Sequence, residues 1–166
     1  MSSGDFVITR TFNAPRAMVW KAWTDRDALL QWFGPKGLPM IRAKMDFRPG
    51  GVFHYALRQL DGGVMWGKWV FREIVPEEKL VLLSSFSDEA GGVTRHPMAP
   101  IWPAETLSTT TFSEQDGKTT ITLHWSPYNA SPAEAALFAA SHASMNGGWS
   151  GTMEQLEDFL AKAQNR

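Results

Sequence analysis

Hydrophobic and polar positions along this chain change period several times, and each change marks an expected element. In FVITRTFN, Phe6 to Asn13, the residues Phe6, Ile8, Arg10 and Phe12 share one face at a spacing of two, which predicts a strand. APRAMVWKAW then shifts to the helical spacing of Val19, Ala22 and Trp23 behind an early proline. TDRDALLQWFGPKG predicts a second short helix, with Thr24 or Asp25 as its cap and Gly-Pro-Lys-Gly as its stop. Strand-like stretches follow one another from there. Ile41–Arg48 ends at a Pro-Gly-Gly turn, VFHYALRQL at Asp-Gly-Gly, and MWGKWVFREIV at Pro-Glu-Glu-Lys. LVLLSSFSD comes next, an irregular run covers Asp88 to Ala104, and TLSTTTFSEQ and KTTITLHWS flank an Asp-Gly hairpin signal.

The C-terminal part returns to helical spacing. Ser131, Pro132 and Glu134 read as a capping box with proline in the first turn. Phe138, His142, Met145, Trp149, Leu156 and Leu160 then follow along one stripe. A helix from Pro132 to Ala163 would be about 48 Å long at 1.5 Å per residue. Its interior carries Gly147, Gly148 and Gly151, each costing roughly 1 kcal/mol against alanine. Two readings follow. Gly147–Gly148 marks a bend, or missing side chains beside Trp149 let the helix approach the sheet or leave space.

This order (strand, two short helices, six consecutive strands, long helix) predicts an α+β fold. About seven antiparallel strands form a curved sheet wrapped around the C-terminal helix, with the two short helices after the first strand. The 166 residues suit one domain spanning 1–166.

Parity decides what such a sheet turns inward. Phe53, Tyr55 and Leu57 share a face, as do Met45 and Phe47, Trp69 and Phe71, and Leu82, Ser84 and Phe86. Leu107, Thr109 and Thr111 are taken together on the next strand, and Ile121, Leu123 and Trp125 on the last. If these faces meet Phe138, His142, Met145 and Trp149, the interior has an aromatic lining of the sort found in ligand pockets. RHPMAPIWPAE, Arg95 to Glu105, sets three prolines around Met98, Ile101 and Trp102. That loop is expected either to cover the cavity mouth as a lid or to form a homodimer contact.

Composition sharpens this picture. Eight Trp, ten Phe and eight Met supply bulky, adaptable lining or core. Sixteen basic against seventeen acidic residues give a formal charge of −1, so nothing draws the chain to nucleic acid or to an anionic membrane. No stretch approaches the roughly 20 apolar residues of a membrane span, and MSSGDFVITR does not read as a signal peptide. There is no cysteine, which removes disulfides and thiolate metal sites and fits a cytoplasmic setting.

Catalytic motifs are sparse. The four histidines form no metal-binding spacing, so no metal and no cofactor are expected. The nearest approach to a nucleophile elbow, Gly-Trp-Ser-Gly around Ser150, has no strand before it. What remains is general acid–base chemistry by Glu105, His142 or Arg10, if these face a buried substrate. Structural polar roles are the competing reading for all three.

Several segments carry a family likeness. They are RTFNAPRAMVWKAWTDRDALLQWFGPKG, the Asp46-x-Arg48-x-Gly50-Gly51 turn, REIVPEEKLV, DGKTTITL and GGWSGTMEQLEDFL. In this order, over nearly the whole chain, they resemble the activator of heat-shock-protein-90 ATPase homologue-like family of the START/birch-pollen-allergen-like (helix-grip) superfamily. The resemblance implies a hydrophobic small molecule held between sheet and helix. It also leaves a chaperone partner as an alternative, and a cofactor-independent enzyme as a second one. The ligand-facing residues expected are Phe47, Phe53, Tyr55, Trp69, Phe71, Phe86 and Trp102 from the sheet side. Leu123, Trp125, Phe138, His142, Met145 and Trp149 complete them.

Overall fold

The computed structural model describes residues 4–96 and 99–164. The chain runs β1 (Phe6–Phe12), α1 (Arg16–Thr24), α2 (Arg26–Trp32), β2 (Met40–Met45), β3 (Val52–Arg58) and β4 (Val64–Val75). It continues through β5 (Lys79–Ser87), β6 (Val93–Thr94), β7 (Glu105–Gln115), β8 (Lys118–Tyr128), α3 (Pro132–Ala140) and α4 (His142–Gln164). All strands belong to one antiparallel sheet of order β1-β8-β7-β5-β4-β3-β2. The expected meander is therefore present, with β1 returning to pair β8 from Phe6↔Trp125 to Phe12↔Thr119. The irregular run hides one short strand, β6, which hooks onto the end of β5 through Phe86↔Thr94.

Local chemistry explains the joints. Asp25, and not Thr24, caps α2 by accepting from Ala28 N at 3.1 Å. Trp32 Nε1 donates to Ala22 O at 2.9 Å and locks the two short helices together. In the Asp46–Gly51 turn, Gly51 N donates to Arg48 O at 2.8 Å and Arg48 Nε to Asp46 Oδ2 at 2.8 Å. A Cβ on Gly51 would lie 2.0 Å from Asp46 O, so only glycine fits this approach. Gly50 N then donates to Phe71 O at 2.7 Å, tying the turn to β4.

The C-terminal helix corrects one expectation. Its capping box forms as read, with Glu134 N donating to Ser131 Oγ and Ser131 N to Glu134 Oε1. The break, however, falls at Ser141 and not at Gly147–Gly148. Ser141 has φ −105° and ψ 12°, and its N–H donates to Phe138 O, which tightens the last turn of α3. Its own carbonyl accepts from Met145 N and so starts α4. Helix α4 passes through all three glycines unbroken.

The two halves of α4 differ. Met153, Leu156 and Leu160 join Phe12, Val19, Phe71, Leu80 and Ile121 in a solid core under α1 and α2. The N-terminal half, from Met145 to Thr152, stands over a gap.

Candidate functional site

That gap is a pocket of about 280 Å³ between the sheet and the first half of α4. Met145, Gly148, Trp149 and Thr152 form its helix side, and Tyr55, Trp69, Phe86 and Trp125 its sheet side. Phe33, Gly34 and Pro35 from the α2–β2 loop close one flank, and Trp102, Pro103 and Ala104 from the β6–β7 loop the other. Among the described residues, no Asp, Glu, Lys, Arg or His belongs to the wall.

The wall is held open by braced rings. Trp149 stacks on Trp23 and meets Trp125 edge-on with centroids 5.5 Å apart. Phe33 lies edge-on to Trp69, Tyr55 and Trp149. The loop carrying Phe33 is pinned to α4 at one atom. Gly34 O accepts from Gln155 Nε2 at 2.7 Å and from Thr152 Oγ1 at 3.0 Å. At Gly148 a Cβ would have no neighbour within 4 Å, so glycine here marks empty space at the mouth and not close packing. The opposite holds at Gly67 on β4. A Cβ there would sit 2.5 Å from the Tyr55 ring, so this glycine is what lets Tyr55 lie across the sheet. Burial pushes the Tyr55 phenol above its ordinary pKa, which keeps it a neutral donor.

The β6–β7 loop is latched to α3. The Arg95 guanidinium pairs with the Glu134 carboxylate and donates to Trp102 O at 3.2 Å. Backbone donation from Ser131 and the Arg95 side chain hold Glu134 below the usual carboxylate range. Trp102 rests on Phe138 with centroids 5.5 Å apart.

Of the residues expected to face a ligand, Tyr55, Trp69, Phe86, Trp102, Trp125, Met145 and Trp149 lie on the wall. Phe53, Phe71, Leu123 and Phe138 do not: each is 0% exposed. Phe47 packs against Trp20 and Phe71 outside the pocket. His142 is not on the wall either, since its Nε2 bonds Gly4 O at 2.8 Å and its ring meets Phe6 and Phe138. The shared reason is that packing fills the sheet–helix gap around these residues, whereas the first half of α4 stands off the sheet.

The acid–base candidates are not brought together. Arg10 faces α4 but pairs with Glu157 at 3.5 Å, and Glu105 sits opposite Tyr128 at the start of β7. Neither belongs to the wall, so no candidate acid or base reaches the pocket. Of the three apolar loop residues, Trp102 is on the wall, Ile101 is 55% exposed, and Met98 lies outside the described residues.

The inward face of β7 is the opposite of the one expected. Thr106, Ser108, Thr110 and Phe112 are buried, whereas Leu107, Thr109 and Thr111 face outward. Phe112 was the available signal, because a large ring near the strand's end fixes its inward parity. It packs against Trp20 and Trp23.

Comparison with known proteins agrees with this architecture. Protein NE0264 from Nitrosomonas europaea superposes with a TM-score of 0.79 at 20% identity, covering 100% of this chain and 99% of that one. A solution structure from Arthrobacter aurescens gives 0.80 at 24% identity, over 96% and 87%. Protein Ms6760 from Mycobacterium smegmatis gives 0.75 at 25% identity, over 97% and 93%. No curated protein matches. Among the described residues no helix is long and apolar enough to cross a membrane. A family model described as "Activator of Hsp90 ATPase homolog 1-like protein" matches residues 13–161, and the chain belongs to that family.

Proposed function

We propose that this protein binds a small hydrophobic or aromatic molecule in the pocket between the sheet and α4, without a cofactor. The observation that carries the reading is the wall itself: aromatic rings around about 280 Å³ of space, with no Asp, Glu, Lys, Arg or His among the described residues on it. That volume is near the lower end of the usual range for ligand sites, so the guest has one or two rings. Burying its faces against Trp69, Trp125 and Trp149 supplies the affinity, at about 25 cal/mol per Å² of apolar surface. Trp102 acts as the lid, because it caps one flank from a loop latched to α3 by the Arg95–Glu134 ion pair. Neither Glu105, His142 nor Arg10 reaches the wall, and this favours binding over turnover.

Titration with naphthalene tests the proposal. Binding is expected to quench the wall tryptophans and to raise the melting temperature, since a ligand that prefers the folded state stabilises it. Failure of both naphthalene and its hydroxylated analogue 2-naphthol to do either would remove the carrier reading.

A second reading rests on the family's description, which names a chaperone ATPase activator. It expects stimulation of that ATPase by the purified chain, insensitive to side chains placed in the pocket.

A further inference from the structure

The pocket contains a polar feature that an apolar guest does not use. Thr106, Ser108 and Thr110 follow one another on the inner face of β7 and are only 5%, 4% and 1% exposed. All three line the pocket, as does Ser84, which stands beside Thr106 in the β5–β7 register. Residues two apart on a strand repeat at about 7 Å. The hydroxyls therefore form a row through the middle of the sheet. Its flanks are aromatic: Trp69 pairs with Ser84 on one side, and Trp125 with Ser108 on the other.

Among the described residues, these four side chains make no hydrogen bond to the protein, nor does the Tyr55 phenol, and their oxygens are not sealed but open to the pocket. Buried hydroxyls are ordinarily paired, because leaving one without a partner is costly. Their open side is the pocket, so their partners come from what occupies it. A guest that displaces water there without replacing its hydrogen bonds loses affinity. Among the described residues no charged side chain lies on the wall, so an ionised guest would have to bury its charge unpaired.

We propose that the ligand is an uncharged aromatic molecule bearing a hydroxyl or carbonyl oxygen, and that the β7 hydroxyl row is its specificity determinant. This rests on the pocket being a binding site. The rings of Trp69 and Trp125 grip the guest's faces, while Thr106, Ser108 and Thr110 donate to or accept from its oxygen. Ionised carboxylates and phosphates are excluded for want of a cation, and plain hydrocarbons bind less well because they leave the row unpaired.

The test compares 2-naphthol, naphthalene and 2-naphthoate at neutral pH by calorimetry. It uses the wild-type protein and a Thr106→Val, Ser108→Ala, Thr110→Val triple variant. The affinity ratio of naphthol to naphthalene is expected to fall about three- to tenfold in the triple variant, the worth of one good hydrogen bond. Taking this ratio cancels the different water affinities of the two probes. Naphthoate is expected to bind wild type at least tenfold more weakly than naphthol. An unchanged ratio in the variant overturns the specificity claim while the pocket reading survives. So does naphthoate binding wild type as tightly as naphthol, a comparison that stands even if the triple variant does not fold. If neither naphthol nor naphthalene binds wild type, the pocket reading itself is overturned.

Discussion

Trp149 on α4 stacks on Trp23 of α1 with ring centroids 6.1 Å apart and planes inclined by 19°. This contact joins the solid half of the molecule to the open half: Trp23 is buried in the core and reaches the pocket's edge, and Trp149 packs on that core while forming the wall. Trp23 keeps its Nε1 buried without an acceptor among the described residues, so its place is set by ring packing alone. Trp149→Ala is therefore expected to lower stability by about 3 kcal/mol, the low end for removing a large aromatic. It should also enlarge the pocket, so that a three-ring probe binds the variant better than wild type. Urea unfolding and calorimetry with anthracene measure the two effects.

Gly148 gives the opposite kind of prediction. It lies mid-helix with no atom within 4 Å of where a Cβ would be. Gly148→Ala is thus expected to stabilise by up to ~1 kcal/mol through helix propensity, about 2–4 °C in a chain of this size. Gly148→Leu should remain folded but fill the mouth and abolish naphthalene binding. Melting curves with and without naphthalene separate the two effects. A Leu variant that still binds as wild type would mean the mouth is elsewhere.

Much of this architecture was legible in the sequence, because long-period cues repeat. Alternation fixed the strands, Asp-Gly fixed the last hairpin, and the Ser131 capping box fixed the start of the closing helices. What failed was legible only in part. Ser141 carries no breaker chemistry, and it ends α3 because its hydroxyl bonds back to Leu137 O and its N–H to Phe138 O. The β7 face was misjudged because Thr and Ser occupy both parities of that strand, so only Phe112 discriminates. The flanks of the pocket come from loops, Phe33–Pro35 and Trp102–Ala104, whose placement depends on distant partners such as Gln155 and Glu134. No periodicity encodes such contacts.

Gly67 and Tyr55 form a coupled pair across β3 and β4, where they are register partners. Gly67→Ala places a methyl 2.5 Å from the Tyr55 ring and is expected to destabilise by about 1–3 kcal/mol, as overpacking does. Tyr55→Ala removes the ring and should relieve most of that penalty. The double variant is therefore expected to be more stable than the sum of the singles predicts, by 1 kcal/mol or more. Chemical denaturation of all four proteins measures the coupling. Additive losses would show that the two residues do not share this space.

Tyr55 also sets an alkaline limit. Burial raises its folded pKa above the ordinary phenol value of 10.0, so the unfolded chain releases this proton first as pH rises. The stabilisation is fully present below about pH 10 and declines above it. Tyr55→Phe carries no such proton and should lose less stability than wild type between about pH 9.5 and 11. Urea midpoints across that range decide the matter.

The latch between Arg95 and Glu134 supplies the corresponding acid prediction. Glu134 is held below its usual carboxylate range first by Ser131 N–H donation and then by Arg95. A carboxyl with a depressed folded pKa stabilises the folded state above its unfolded pKa, and that contribution is lost as pH falls through the folded value. Acidification below about pH 4.3 is therefore expected to weaken the α3 cap and free the loop that holds Trp102. Glu134→Gln keeps a capping side chain but removes the charge, so its stability should change less than that of wild type between pH 5 and 3. Trp102 gives the local readout. Its emission should shift to the red on acidification in wild type, and be shifted already at pH 7 in Arg95→Ala. If Arg95→Ala leaves both emission and naphthalene affinity unchanged, the ion pair does not hold this flank of the pocket.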